Sequence, residues 1–231
     1  MQRYFSNIKE NNSFILNEDD LYHIKKVMRM TDGELLEVVF ESNLYICKLK
    51  DRVAVIDKMV ENENNKKIKY VLVLPILQEQ KMSFVLQKAT ELGVDEIIPI
   101  YTERSKVKVE EKEDKKLLRW TRICKEASEQ AKRLDIPKIN NIINIKDIDI
   151  DGLKIVCSTK EKSNNLKKVL KNNLNCDKIV ISIGPEGGLT DKEEQLFVDQ
   201  GFIPVSLGDN IMRVETVPIY MLSVLNYEIM E

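Results

Sequence analysis

The sequence predicts an α/β protein in two parts, a small β-rich domain followed by a larger domain built on a mostly parallel sheet. Residues 33–60 form short alternating or β-branched runs separated by turn residues, whereas continuous apolar runs alternate with helical patterns from residue 70 onward. Residues 61–69 between these regions are polar and rich in Asn and Lys, which is typical of a linker. We therefore expect domains at residues 1–66 and 67–231.

The first domain is predicted to form a small barrel or sandwich. Strands are expected at residues 33–40, 44–50 and 52–60, because alternating and β-branched residues fit a half-buried sheet. A helix is predicted over residues 18–30, with Asn17 as its N-cap.

The second domain is predicted to alternate strands with helices. Its strands are expected at residues 70–76, 95–100, 154–159, 178–184 and 202–208. The first is a continuous apolar run, as expected for a strand covered on both faces. Its helices are expected at residues 81–92, 112–133, 164–171, 191–200 and 216–230. Gly93 is expected to end the first of these helices.

Composition excludes several classes of function. The chain has 231 residues, of which 43% are hydrophobic and 32% charged, so it can bury a core. It contains no apolar run long enough to span a bilayer, and its first residues do not resemble a signal peptide, so we expect a cytoplasmic protein with no membrane partner. The net charge of −2 indicates that any binding of nucleic acid needs a local basic face.

Metal and triad chemistry are also not expected. The four cysteines form no CxxC pair, and His23 is the only histidine. We therefore predict no metal site, and no Ser-His-Asp triad can be built without His23.

Two glycine-containing turns follow apolar strands near the C-terminus. In the first, Gly187 and Gly188 permit close approach to the backbone, and Thr190 with Glu193 forms a predicted capping box. Open α/β sheets bind ligands at such turns, but an ordinary tight turn is an equally good interpretation.

The second turn follows Leu207 and Gly208 and leads to a helix that begins near Arg213 and Glu215. These two side chains are interpreted either as an ion pair that caps the helix or as the entrance to a ligand site. The helix carries an apolar stripe, predicted to be core or a dimer interface, at Val217, Tyr220, Met221, Val224 and Leu225.

Four segments of the chain resemble the RsmE family. They are QKATELGVDEIIPI (87–100), EASEQAKRLDIPKI (126–139), IGPEGGLTDKE (183–193) and LGDNIMRVET (207–216), and the segments MQRYF and HIKKVMRMTDGE (23–34) are also similar. The resemblance covers nearly the whole chain in order. One departure is Val217, where the family usually has Ala; we expect this side chain to face the core.

The resemblance implies a fold and a function. The fold is an N-terminal PUA-like RNA-binding β-barrel followed by a SPOUT-class α/β domain with a trefoil knot. The implied function is S-adenosylmethionine-dependent methylation of N3 of one uridine in 16S rRNA of the small ribosomal subunit, by a homodimer. Two alternatives stay open: a SPOUT methyltransferase that acts on tRNA, and a noncatalytic RNA-binding factor in ribosome assembly. Intact GPEGG and R-ET motifs argue against the latter.

This chemistry identifies candidate residues. Methyl transfer needs alignment of donor and acceptor and removal of the N3 proton, and the second domain has no histidine to accept it. Glu186 and Glu215 are the nearest carboxylates, and Arg213 is placed to stabilise negative charge on the uracil. We predict Arg213 and Glu215 as catalytic residues.

Binding residues are predicted from the same turns and from cations elsewhere. Candidates for cofactor binding are Ile183, Gly184, Pro185, Glu186, Gly187, Gly188, Leu207, Gly208, Ile211, Met212 and Arg213. Candidates for RNA binding are Arg3, Lys25, Lys26, Arg29, Arg104, Gln130 and Arg133, with Lys106, Lys108 and Arg122 as further cations.

Overall fold

The computed structural model describes residues 1–61, 68–107, 113–173 and 175–229. The chain forms two compact units. The N-terminal unit comprises Met1–Asn65 and Lys125–Ile136, and the C-terminal unit comprises Lys66–Cys124 and Pro137–Glu231. Most of the predicted linker, Lys108, and the predicted helix ends at residues 112 and 230 lie outside the described residues.

The N-terminal unit contains a six-stranded sheet. Its strands are β1 Arg3–Phe5, β2 Lys9–Glu10, β3 Ser13–Ile15, β4 Leu35–Phe40, β5 Asn43–Lys50 and β6 Val53–Val60. Their order in the sheet is β1-β4-β5-β6-β3-β2, and only the β1–β4 pair is parallel. Since β1 and β2 stand at opposite ends of this order, the described strands form an open sheet rather than a closed barrel. The three predicted strands are β4, β5 and β6.

The predicted helix over residues 18–30 is shorter and irregular. It consists of α1 Glu18–Tyr22 and a π-helical turn at His23–Val27. The predicted N-cap is confirmed, because the backbone N–H of Asp20 donates to Oδ1 of Asn17 over 2.8 Å. Ile24 is fully buried in the core of this unit.

The predicted domain boundary at residue 66 is corrected by the segment Lys125–Ile136. The prediction assigned this segment to the second domain, but it belongs to the N-terminal unit. The ammonium of Lys125 lies 2.5 Å from a carboxylate oxygen of Asp20 and 2.7 Å from one of Glu129. The Arg3 guanidinium donates to the carbonyls of Lys132 and Arg133. The helical pattern of this region runs on without interruption, so nothing in it indicates the change of packing partner.

The C-terminal unit is built on a parallel sheet, as predicted. Its strands are β7 Lys69–Pro75, β8 Glu96–Tyr101, β9 Lys138–Ile139, β10 Ile143–Asn144, β11 Leu153–Cys157, β12 Lys178–Ser182 and β13 Ile203–Val205. Their order is β10-β8-β7-β12-β11-β13, with β9 also beside β8, and every pair is parallel.

Within the described residues, five helices accompany this sheet. They are α2 Glu79–Glu91, α3 Glu113–Gln130, α4 Leu166–Asn173, α5 Asp191–Asp199 and α6 Thr216–Ile229, and a short 3-10 turn spans Ile145–Asp147. The last residues of α3, from Lys125, belong to the N-terminal unit. The core includes Val71, Val73, Ile100, Val156 and Phe197, each no more than 1% exposed. This burial on both faces explains the unbroken apolar strands.

The predicted apolar stripe of helix α6 is only partly buried. Met221 and Leu225 are fully buried within the chain, whereas Tyr220 remains 37% exposed. The helix is held to the end of α2 by the side chain of Asn226, which donates to the carbonyl of Leu92 over 2.8 Å.

Candidate active site

The carboxyl ends of β11, β12 and β13 meet at a cleft of about 900 Å³. Its walls are residues 157–162, 183–189 and 206–214, which lie at or just after the ends of these three strands, together with Val217, Lys81, Arg104 and Glu194. The predicted catalytic residue Glu215 is not among these lining residues. All of the predicted cofactor-binding residues line this cleft. Ligands of open α/β sheets bind outside the carboxyl ends of the strands, and the volume is in the range of small-molecule sites, about 300–1,000 Å³.

The first turn, after β12, is tightly organised. The N–H of Gly188 donates to the carbonyl of Pro185 over 2.8 Å, and Gly188 has a φ of 69°, which favours glycine. The predicted capping box at the start of α5 is confirmed: Thr190 Oγ1 accepts from the N–H of Glu193, and Oε2 of Glu193 accepts from the N–H of Thr190. The other oxygen of this buried carboxylate accepts from the N–H of Glu103 over 2.7 Å.

Arg104 braces the first turn. Its guanidinium donates to the carbonyl of Gly187 over 3.0 Å. A Cβ on Gly187 would lie 3.0 Å from the Cβ of Arg104, so a larger residue here would require Arg104 to shift by a few tenths of an ångström. Although Arg104 is exposed, this contact makes it less available to RNA than predicted.

The second turn, after β13, leaves backbone groups open to the cleft. The N–H of Gly208 donates to Ser206 Oγ over 3.3 Å. Leu207 and residues 209–212, all within the described chain, make no backbone–backbone hydrogen bond there. A Cβ on Gly208 would meet no atom within 4 Å, so the space beside this glycine is free for a ligand.

A charged group at the cleft consists of Lys81 and Glu186, which line it, and Glu215, which contacts Lys81. The ammonium of Lys81 is 2.9 Å from Oε1 of Glu186 and 3.7 Å from Oε2 of Glu215. The hydrogen bond to Glu186 and the two nearby carboxylates raise the pKa of Lys81, so this side chain is an ammonium at neutral pH. Oε2 of Glu215 is buried and has no hydrogen-bond partner among the described residues.

The ion pair between Arg213 and Glu215, one of two interpretations from the sequence, is not formed. Glu215 faces Lys81, and the exposed side chain of Arg213 makes no hydrogen bond or ion pair within the described ranges. Lys81 was not identified from the sequence. Its position in the first turn of α2, shortly after the carboxyl end of β7, was the available signal, since that is the ligand-binding edge of the sheet.

Other charged side chains at the cleft are already paired with one another. The ammonium of Lys160 is 2.7 Å from Asp191 and 2.8 Å from Glu194, and these hydrogen bonds raise its pKa. Burial raises the pKa of the Cys157 thiol to about 12, so it is neutral and a poor nucleophile. Hydrogen bonds from Ser163 and from backbone N–H groups lower the pKa of Glu161 to about 2.

Val217 lines the cleft, which corrects the expectation that it faces the core. The first turn of α6 passes beside the pocket, so the apolar stripe does not point wholly inward. Among the residues that the structure describes, no group of three or more His, Cys, Asp or Glu side chains could hold a metal ion. No helix in the same ranges is long and apolar enough to cross a membrane.

The predicted RNA-binding residues have different surroundings in the N-terminal unit. The structure argues against Arg3, which is 7% exposed and held by Glu37 over 2.8 Å. Lys25 is exposed but 3.3 Å from Asp51, and Arg133 is 3.0 Å from Asp135.

Two cations of the same unit remain available. Lys26 and Arg29 are exposed and have no hydrogen bond or ion pair in the described part of the chain, and Gln130 is also exposed. His23 bonds the hydroxyl of Tyr4 over 3.0 Å, which is a structural role.

Known proteins were compared with this chain. Residues 16–56 match the RNA methyltransferase PUA domain family, and residues 63–226 match the RNA methyltransferase domain family. The chain is 36% identical over 228 residues to ribosomal RNA small subunit methyltransferase E of Mesomycoplasma hyopneumoniae, covering 96% of this chain and 98% of that relative. The chain belongs to the RsmE family. The relative of the same name from Bacillus subtilis is 31% identical, covering 99% of this chain and 97% of its own length.

Solved structures of similar proteins agree with this membership. The ribosomal RNA small subunit methyltransferase E of Neisseria gonorrhoeae, bound to S-adenosyl methionine, superposes with a TM-score of 0.88 at 26% identity, covering 99% of this chain and 98% of that one. A putative methyltransferase from Legionella pneumophila in complex with the same cofactor gives a TM-score of 0.89 at 28% identity, covering 98% and 97%. The resemblance on which the sequence analysis relied is therefore confirmed.

Proposed function

We propose that this RsmE-family chain transfers the methyl group of S-adenosylmethionine to N3 of one uridine in 16S rRNA, in the cytoplasm. The observation that carries the proposal is the cleft at the carboxyl ends of β11, β12 and β13. It gathers the GPEGG motif and Arg213 of the R-ET motif, in a chain similar throughout to small-subunit rRNA methyltransferases.

The residues of the cleft fit this cofactor. Unpaired backbone groups of Leu207 and residues 209–212 suit the hydrogen-bonding edges of adenine, and the open space beside Gly208 admits a planar ring. The carboxylate of Glu186, which lines the cleft, suits a sulfonium cation. When bound, S-adenosylmethionine supplies a methyl group that is already activated.

The remaining chemistry belongs to this chain. N3 of neutral uracil carries a proton, and Oε2 of Glu215 is an acceptor without a hydrogen-bond donor of its own. Arg213, two residues before Glu215, has an unpaired guanidinium at the cleft. This guanidinium stabilises the negative charge that develops on the uracil oxygens. Glu186 is bonded directly by Lys81 and is the weaker candidate for the base.

We also propose finer features of the architecture. The segment after β13 returns to the cleft beside the segments after β11 and β12, which is consistent with a trefoil knot of the SPOUT class. The N-terminal unit, with its PUA-family match, is the RNA reader, and its open sheet is a PUA-like half-barrel. The exposed aromatic residues Tyr220 and Tyr227 of α6 supply a surface for a homodimer.

The test is to map modified uridines in rRNA and tRNA from cells with and without this protein. Loss of one N3-methyluridine from 16S rRNA, restored by the purified protein and S-adenosylmethionine, is expected. A loss confined to tRNA would indicate the tRNA enzyme instead. Unchanged RNA together with no calorimetric binding of S-adenosylmethionine would indicate the noncatalytic assembly factor.

A further inference from the structure

Lys81 lies on α2, yet its ammonium contacts both turns of the cleft. Glu186 belongs to the turn after β12, and Glu215 belongs to the segment between β13 and α6. One side chain therefore joins two segments that are far apart in the sequence.

The two carboxylates are partly buried and repel each other. The side chains of Glu186 and Glu215 are 18% and 19% exposed, and both lie against one ammonium, so their mutual distance is short. Like charges in a poorly solvated cleft destabilise it unless a cation lies between them. Arg213 is the other charged group near Lys81, and it makes no ion pair with either carboxylate in the described structure.

The two contacts differ in kind. The 2.9 Å contact with Glu186 is a hydrogen bond, whereas the 3.7 Å contact with Oε2 of Glu215 is too long to be one. Lys81 thus neutralises Glu215 electrostatically without occupying its lone pair.

We propose that Lys81 is a positioning residue that clamps the two cleft turns together, holding Glu186 by a hydrogen bond and Glu215 by charge alone. The inference rests on the proposed function for its kinetic consequence. The clamp itself is a property of the protein without substrate.

The test compares Lys81→Met with Lys88→Met. Lys88 is a matched control, because it lies on the same helix, is 35% exposed against 33% for Lys81, and is also ion-paired, with Glu91 over 2.8 Å, but lies outside the cleft. Hydrogen exchange should show loss of protection at the hydrogen-bonded amides of Gly188, Thr190, Thr216 and Val217 in Lys81→Met only. Unchanged protection there would overturn the clamp, whatever reaction the protein catalyses.

Kinetics test the positioning role. In Lys81→Met we expect kcat for methyl transfer to fall by about 10²-fold with the Kd of S-adenosylmethionine little changed, as expected for a small misplacement of a reacting group. Lys81→Arg should retain most of the rate. Lys81→Met combined with Glu186→Gln should recover about 10-fold, because the repulsion between the carboxylates is removed.

Other results of these experiments would refute either the positioning role or the proposed function. A wild-type rate in Lys81→Met would refute the role, and a lost rate that the double variant does not recover would mean that Lys81 acts on the substrate directly. A wild-type protein that does not methylate 16S rRNA would refute the proposed function, and the exchange experiment would still decide the clamp.

Discussion

Arg213 and Glu215 are separated by one residue but have very different surroundings. The carboxylate is partly buried against Lys81, whereas the guanidinium is exposed and unpaired in the described part of the chain. The sequence could identify both residues but not this difference. The reason is that Lys81 is distant in sequence, 105 residues from Glu186, and only the folded sheet brings it to the same edge.

Arg213→Ala is expected to lower the rate of a folded sample by about 10²-fold or more, with the affinity for S-adenosylmethionine little changed.

Glu215→Gln should lose most activity near neutral pH and regain part of it at alkaline pH, where uracil ionises without a base. Single-turnover rates across pH measure both effects. Arg119→Ala is the control, since Arg119 is paired with Glu79 outside the cleft. Near-native rates in both variants would make these residues structural anchors.

Gly208→Val is expected to weaken binding of S-adenosylmethionine by at least about 10-fold, or 1.4 kcal/mol, because the new side chain enters open space in the cleft. Gly33→Val is a matched control. Both glycines have positive φ, 121° and 93°, and a Cβ on either meets no atom within 4 Å, but Gly33 lies outside the cleft. Calorimetry should therefore find weaker binding only in Gly208→Val. Native affinity in a folded Gly208→Val protein would contradict the assigned pocket.

The elements that sequence reasoning recovered are those with a long regular pattern. The β7 and β12 strands are continuous apolar runs, and the capping box at α5 is a local signal that needs no tertiary context. The strands that it missed, such as β2 and β9, have two residues each, too few to show alternation. The helix expected over residues 18–30 changes to a π-helical turn at His23, which periodicity does not predict.

The buried and exposed residues of helix α6 are expected to have different roles, in stability and in assembly. Met221→Ala should lower the free energy of unfolding by about 2–5 kcal/mol, because the side chain is fully buried. Tyr227→Glu, at a site 77% exposed, should change the free energy of unfolding by no more than about 0.5 kcal/mol but weaken the proposed homodimer. Denaturant titration and sedimentation velocity measure the two effects. A wild-type protein that is monomeric at micromolar concentration and still active would refute a role for dimerisation.

At the scale of the molecule, the N-terminal unit is assembled from two separate stretches of chain. Deleting residues 1–66 would therefore remove Asp20 from Lys125 and Glu37 from Lys132, and would expose the second stretch. The activity of a truncated protein would therefore not distinguish loss of RNA binding from loss of folding. Point substitutions on the surface of the unit are the better test.

Replacing Lys26 and Arg29 by Ala is expected to weaken RNA binding and flatten its salt dependence. Each lost phosphate contact lowers the slope of log K against log salt by about 0.7–0.9. The slope for the wild type should itself be modest, since the net charge is −2. Lys48→Ala, which removes a cation already 2.8 Å from Asp57, should leave the slope unchanged. An unaltered slope in the Lys26 and Arg29 variant would move the RNA contacts elsewhere.

The single tryptophan has a consequence for spectroscopy. Trp120 is 1% exposed and lies in the Lys66–Cys124 stretch of the C-terminal unit. Its fluorescence therefore reports first on the opening of that unit, whereas circular dichroism records the strands and helices of both. If the two signals change at different denaturant concentrations, the units unfold in separate steps, and a single free energy of unfolding does not describe the chain.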